Sequence, residues 1–355
     1  MKQIFLFVFL GFCVNVFATV RTVNNNPNSL AQYNTIQAAV DASATGDTIY
    51  VHGSSVQYAA FTITNKRLIL IGPGWLPARN FAPFPAQLMQ MTVSGSGSTG
   101  TEIQGLVFVG SITMSGNPAP DNMRFIRNQF KSAVFIINNG TSNGYIFQSN
   151  WFDVGYLSVT SAGTYSNYLI QNNIFYATST NGNVSGFVNS ASVLFDHNLW
   201  YGPTSVGATV NCFGTCQQLL LTNNIFVHRD AALNNSLSTF NNNITFACKA
   251  DTPWLVNGNG GAGNIANLDP QMFHQDSVNV GRDNPLLNFT IAAGPANNAG
   301  TDGRDLGLMY NSIGILNWDF TRMSRLPYIF NMNISNSTIA PGGTLTVQVE
   351  ARKYN

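Results

Sequence analysis

Ile170-Gln171-Asn172-Asn173-Ile174-Phe175 sets a pair of amides between apolar residues, and near copies of it recur along the chain. The others are Phe125-Ile126-Arg127-Asn128-Gln129-Phe130, Phe147-Gln148-Ser149-Asn150-Trp151-Phe152, Phe195-Asp196-His197-Asn198-Leu199-Trp200, Leu221-Thr222-Asn223-Asn224-Ile225-Phe226 and Phe240-Asn241-Asn242-Asn243-Ile244-Thr245. Their common asparagines, 128, 150, 173, 198, 224 and 243, are 22, 23, 25, 26 and 19 residues apart. A period in this range marks a solenoid, in which no repeat buries its apolar face alone and stacking makes the core.

Apolar residues fall three before and two after each asparagine, and often five before it, as at Tyr145, Tyr168, Val193 and Leu219. That alternation is strand-like. A leucine-rich repeat needs Leu-x-x-Leu-x-Leu spacing and a helical half, and neither is present. Stacked strands place the asparagines about 4.8 Å apart, each amide bonding to the next rung. Inward polar residues are stable when satisfied in this way.

Thr35-Ile36-Gln37-Ala38-Ala39-Val40-Asp41-Ala42, followed by Gly46-Asp47-Thr48-Ile49-Tyr50-Val51, resembles the cap helix and first strand of right-handed parallel β-helix proteins of the pectate-lyase-like superfamily, in their secreted bacterial form. Asn267-Leu268-Asp269-Pro270-Gln271-Met272-Phe273 and the stretch from Gly294 to Gly307 resemble the closing segments of the same family, so the resemblance covers most of residues 20–310. It implies an all-β fold, a right-handed parallel β-helix of about ten rungs with an N-terminal cap helix and a C-terminal wrapping tail. The corresponding division is a signal peptide at 1–18, the capped helix at 19–270, a closing segment at 271–320 packed along it, and a β hairpin or partial sandwich at 321–355. Residues 72–92, with Pro73, Pro77, Pro83 and Pro85, read as a loop excursion.

Charged residues make up only 9% of the 355, against roughly a quarter in ordinary soluble proteins, and the net charge is +1. Such a chain has no excess charge with which to hold a nucleic acid. Lys2, the apolar run Ile4 to Phe12, and Val16-Phe17-Ala18 read as a secretory leader cleaved after Ala18. Phe12 is too bulky for a lipobox before Cys13. No later segment is apolar for long enough to span a membrane. In an oxidising compartment Cys212 and Cys216 suggest a local disulfide, with Cys248 left free.

Equivalent positions of a solenoid form columns, so a site should show as unusual residues in one column. Three after the asparagine stand Lys131, Asp153, Tyr176, Tyr201, Val227 and Phe246, and just beyond lie His228, Arg229 and Asp230. Stacked tyrosines beside a lysine and an aspartate suit a sugar chain. The plainer reading makes the tyrosines turn covers and the triplet a solvated loop. Asp196-His197 is the one acid/base pair of a neighbouring column, although adjacent strand residues point apart unless the backbone turns. Four before the asparagine, Ile146, Leu169, Leu194 and Leu220 form an outward apolar stripe, which the apolar tail from Leu306 to Leu316 is expected to cover. Asp302 and Asp305 are read as turn residues in preference to cation ligands.

Lyase chemistry of the kind the resemblance implies needs a base and, usually, Ca²⁺ held by several acids. Between Asn122 and Ala250 the only carboxylates are Asp153, Asp196 and Asp230, at three different offsets, so no metal or other cofactor is assigned. Lys131, His228 and Arg229 are the catalytic candidates, and Lys131, Asp153, Tyr176, Tyr201, His228, Arg229 and Asp230 the substrate-binding face. Two readings follow: a secreted β-helix that engages a polysaccharide along a lateral face, with lyase-like activity conceivable, or a non-catalytic extracellular structural or adhesion protein.

Overall fold

A computed structural model describes residues 18–75, 84–116, 118–136, 141–176, 182–202, 211–272 and 289–309, together with strands Tyr328–Ile334 and Val347–Arg352. The leader expectation falls on residues 1–17, outside the described residues. The body is a parallel β-solenoid of three sheets. Each repeat contributes a short strand to a first face, such as Ile146–Gln148, one to a second, such as Trp151–Asp153, and one to a third, such as Leu157–Val159. The longest sheet threads ten strands and the others eight and seven, so complete turns number about eight where ten rungs were expected.

The alternation read from the sequence is what builds the core. The residues two after the asparagine stack inward from rung to rung, with ring centroids 4.5 Å apart for Phe152 and Phe175 and 3.9 Å for Phe175 and Trp200. Those three before it do the same, as Phe125 over Phe147 at 5.0 Å. Burial of these rings is the main source of stability, at about 25 cal/mol per Å² of apolar surface.

Helix Ile36–Ala42 starts at Thr35, whose hydroxyl accepts from the Ala38 amide, and it buries Ile36, Ala39 and Val40. Lys66 Nζ donates to the Val40 carbonyl near its C-terminal end, where a cation suits the helix dipole. Thr48–Val51 is not the first strand, because Val20–Val23 pairs outside it in the same sheet. The proline-rich stretch also returns to the solenoid earlier than expected: Gln87–Leu88 and Met91–Ser94 are already strands, paired with Val107–Phe108 and Ile112–Ser115. Residues 76–83 lie outside the described residues.

Tyr328–Ile334 and Val347–Arg352 pair antiparallel. Cys212, Cys216 and Cys248 are all free thiols buried in the core, so the expected Cys212–Cys216 disulfide is not formed. Cys212 precedes strand Phe213–Gly214 and Cys216 opens strand Cys216–Gln217, with Thr215 in a left-handed turn (φ 52°) between the strands. No helix among the described residues is long and apolar enough to cross a membrane.

Candidate functional site

The asparagines stack at the corner between the first and second faces. The Asn128 side-chain carbonyl accepts from the Leu106 backbone N–H, and from Asn150 onward each accepts two bonds from the asparagine one rung earlier, from its backbone N–H at 2.8–3.0 Å and from its amide at 2.9–3.2 Å. Each Nδ2 also donates to a first-face carbonyl of the preceding turn, for example Asn173 to Phe147. Asn264 is a seventh member. The residue before each ladder asparagine, such as Asn172, His197, Asn223 and Asn242, takes a left-handed conformation that turns the chain through the corner.

That left-handed column is where the tail attaches. Asn242 donates to the Ala299 carbonyl, Asn223 exchanges bonds with Thr301, and Asn172 accepts from the Met309 amide. Up to Met309 the tail therefore packs along the solenoid, over a different column from the one expected, and residues 310–316 of that expectation lie outside the described residues. Leu306, Leu308, Ala296 and Phe289 cluster with Trp151, Ile174, Leu199, Ile225 and Ile244, one residue after each asparagine. Gly307 (φ +74°) lies so close that a Cβ would stand 2.6 Å from Ile225. The stripe at Ile146, Leu169, Leu194 and Leu220 stays partly open, and Leu220 is 37% exposed.

This arrangement accounts for Asp196 and His197. The backbone turns at His197 (φ 52°), yet the two side chains serve different partners. Asp196 accepts from Gln171, Thr222 and Asn223, whereas His197 Nδ1 lies 3.0 Å from the Gly307 carbonyl and Nε2 3.4 Å from Asp302. They clip rungs and tail together and do not form an acid/base pair. Asp302 accepts the Arg304 backbone N–H two residues on, which is turn chemistry, and Asp305 accepts the Asn298 N–H across the loop.

Of the face expected to bind substrate, Asp153, Tyr176 and Tyr201 do align across neighbouring rungs. Tyr201 is sealed beneath the tail, 5.4 Å from Phe289, and packs on Tyr176 at 4.8 Å. Asp153 is buried and accepts from Gln129. Arg229 and Asp230 are buried as well, not a solvated loop: Arg229 donates to the Asn183 side chain at 2.7 Å and to the Asn211 and Tyr201 carbonyls, and Asp230 accepts from the Ala232 and Leu233 amides. Burial lowers the Arg229 pKa from its ordinary value. Lys131 is exposed, Tyr176 and His228 half-buried.

A groove opens elsewhere, at the corner between the second and third faces. This corner lengthens down the solenoid, from 131–133 and 154–156 to 177–183 and 202–212. Where it lengthens, Tyr156, Gly182, Ser185, Asn211, Phe213, Gly214 and Asn234 surround a space of about 350 Å³. Tyr156 meets Phe135, one rung earlier, edge to face at 5.7 Å. Arg229 holds the Asn211 carbonyl and Asn183 from behind, which makes it a positioning residue for this wall. The sequence reading missed the groove, although the 25- and 26-residue spacings at Asn173–Asn198 and Asn198–Asn224 carry the added residues. Among the described residues no three His, Cys, Asp or Glu side chains gather as metal ligands. No family model matches this chain, and no curated protein matches it.

Proposed function

We propose that this chain is a secreted, right-handed β-helix of the pectate-lyase-like kind that binds polysaccharide along its third face, in the groove walled by Tyr156, Ser185, Asn211 and Asn234. Right-handedness is the expected hand of parallel crossovers. The observation that carries the reading is the groove itself: an exposed aromatic ring beside amides and a hydroxyl is the surface a sugar needs, C–H face on ring and hydroxyls on polar groups. Binding without cleavage fits better than catalysis, because general acid–base work needs tuned titratable groups in one cleft and this lining supplies amides and hydroxyls.

Affinity electrophoresis of the protein through gels containing a panel of polysaccharides, with reducing-end release assayed in parallel, tests this. Retardation without release is the expected result. Free migration in every gel would overturn the binding reading and leave a structural or adhesion role, and release from any glycan would establish an enzyme.

A further inference from the structure

We infer that the ligand of this groove is an uncharged saccharide, read through its hydroxyl groups, and not the acidic polymer that a lyase would take; the inference rests on the polysaccharide reading above. Three observations support it. The lining is neutral throughout: two amides, a serine, a tyrosine, a phenylalanine and two glycines. The charged pair behind Asn211 is already engaged. Arg229 is buried and spends its donors on Asn183 and on main-chain carbonyls, and Asp230 holds the amides of its own turn.

The sequence extends this neutrality beyond the described lining. From Val154 to Phe195, and again from Asn198 to Val227, there is no Asp, Glu, Lys, Arg or His. Nothing within these two stretches, in strand or connection, can neutralise a row of uronate carboxylates. A polyanion laid there would lose its hydration without gaining a counter-charge, which is unfavourable for every carboxylate desolvated.

The third observation concerns polarity of the hydrogen bond. Asn211 lines the groove wall while its Oδ1 is buried without a hydrogen-bond partner, so turning the side chain toward the groove brings an unsatisfied acceptor to a ligand. An orphan acceptor is satisfied by a donor, and a sugar hydroxyl is one, whereas a carboxylate can only accept and would repel it. Tyr156, 38% or so exposed and braced by Phe135, supplies the apolar platform for the ring.

The test compares galactomannan, xyloglucan and mixed-linkage glucan with polygalacturonate, alginate and hyaluronan, each at low and at high salt, using the full chain. Neutral glycans should retard the protein with almost no salt effect. Tyr156→Ala should weaken retention about ten-fold, since it removes the ring platform. Asn211→Ala should weaken it by a similar factor, and Tyr156→Ala, at an exposed position, keeps the test decisive if the Asn211 variant folds poorly. Retention by acidic polymers alone, falling with salt, would overturn the neutral class while leaving the polysaccharide reading standing. Retention by neutral glycans that Tyr156→Ala leaves untouched would overturn the assignment to this groove. Retention by none would overturn both.

Discussion

Two corners of the same rung behave in opposite ways. Between the first and second faces, at the six levels from Asn128 to Asn243, the chain turns in two residues, a left-handed residue followed by a buried asparagine. Between the second and third faces it turns through 131–133 at one level and 202–212 at another. The difference lies in what each corner does with its polar groups. A ladder asparagine is bonded to the rungs before and after it, so an inserted residue breaks register on both sides. The other corner has no such ladder, and added chain there costs only loop-closure entropy, about 0.6 kcal/mol per doubling of length. The fixed corner holds the solenoid in register, and the free corner is where a binding groove can grow.

The severest way to break this comparison is insertion. Gly-Ser-Gly placed between Asn172 and Asn173 should prevent folding, because it parts the left-handed turn from the ladder at the middle of the solenoid. The same insertion after Lys131, at the free corner, should leave a folded protein destabilised by no more than about 1 kcal/mol. Circular dichroism and urea melts of the two variants decide it; equal tolerance at both corners would sink the idea.

A single substitution sharpens it. Asn173→Ala removes two accepted bonds, from the Asn150 backbone and amide, and three donated ones, to Phe147, Gln171 and Asn198. At about 1–3 kcal/mol per buried group left unsatisfied, the loss should reach about 3–5 kcal/mol in a urea melt. Asn264→Ala, at the end of the ladder and only partly buried, should cost clearly less.

The core beside the free corner holds thiols where the fixed corner holds amides, and this gives it a pH dependence. Burial pushes Cys216 and Cys248 up to about 12, and Cys212 well above its ordinary value. Above pH 9 the unfolded chain loses these protons while the native state keeps them, so stability must fall as pH rises. The slope is about 1.4 kcal/mol per pH unit for each thiol. Between pH 9 and 10, where the tyrosine contribution is common to both proteins, Cys216→Ala should reduce the measured slope relative to the parent by one thiol's share. An unchanged slope would place that titration elsewhere.

The contrast between the corners also explains what could be read from the sequence. The fixed corner repeats one chemistry at every level, so Asn128 to Asn243 announce themselves, and strand, stack and ladder follow. Asn264 escaped because its rung lacks the apolar residue three places earlier. Gly261 stands there, and a Cβ on it would sit 1.6 Å from the Phe240 carbonyl. Up to Met309 the tail covers Trp151, Ile174, Leu199, Ile225 and Ile244, a second outward apolar column whose spacing in the sequence is as regular as that of the stripe ending at Leu220. The groove was illegible for a deeper reason. Its walls come from connections that differ at each level, and Asn211 and Tyr156 have no counterparts in neighbouring repeats to mark them.

The smallest effect concerns the tail, which uses the spare hydrogen-bonding capacity of the fixed corner. Asn223 does two jobs: it takes the left-handed conformation (φ 59°), and its amide bonds Asp196 and Thr301 while its backbone carbonyl accepts from Gly307. Asn223→Ala would confound them, since alanine in that conformation costs about 1–2 kcal/mol by itself. Asn223→Gly separates them, because glycine keeps the turn and loses only the amide. The solenoid should then remain within about 1 kcal/mol of the parent, while limited proteolysis cuts residues 289–309 several times faster. Unchanged cleavage would mean that the apolar contacts of Leu306 and Leu308 hold the tail without help from the corner. Faster cleavage together with a collapsed solenoid would show instead that the tail is part of the ladder's own stability, and that the two corners differ less than their geometry suggests.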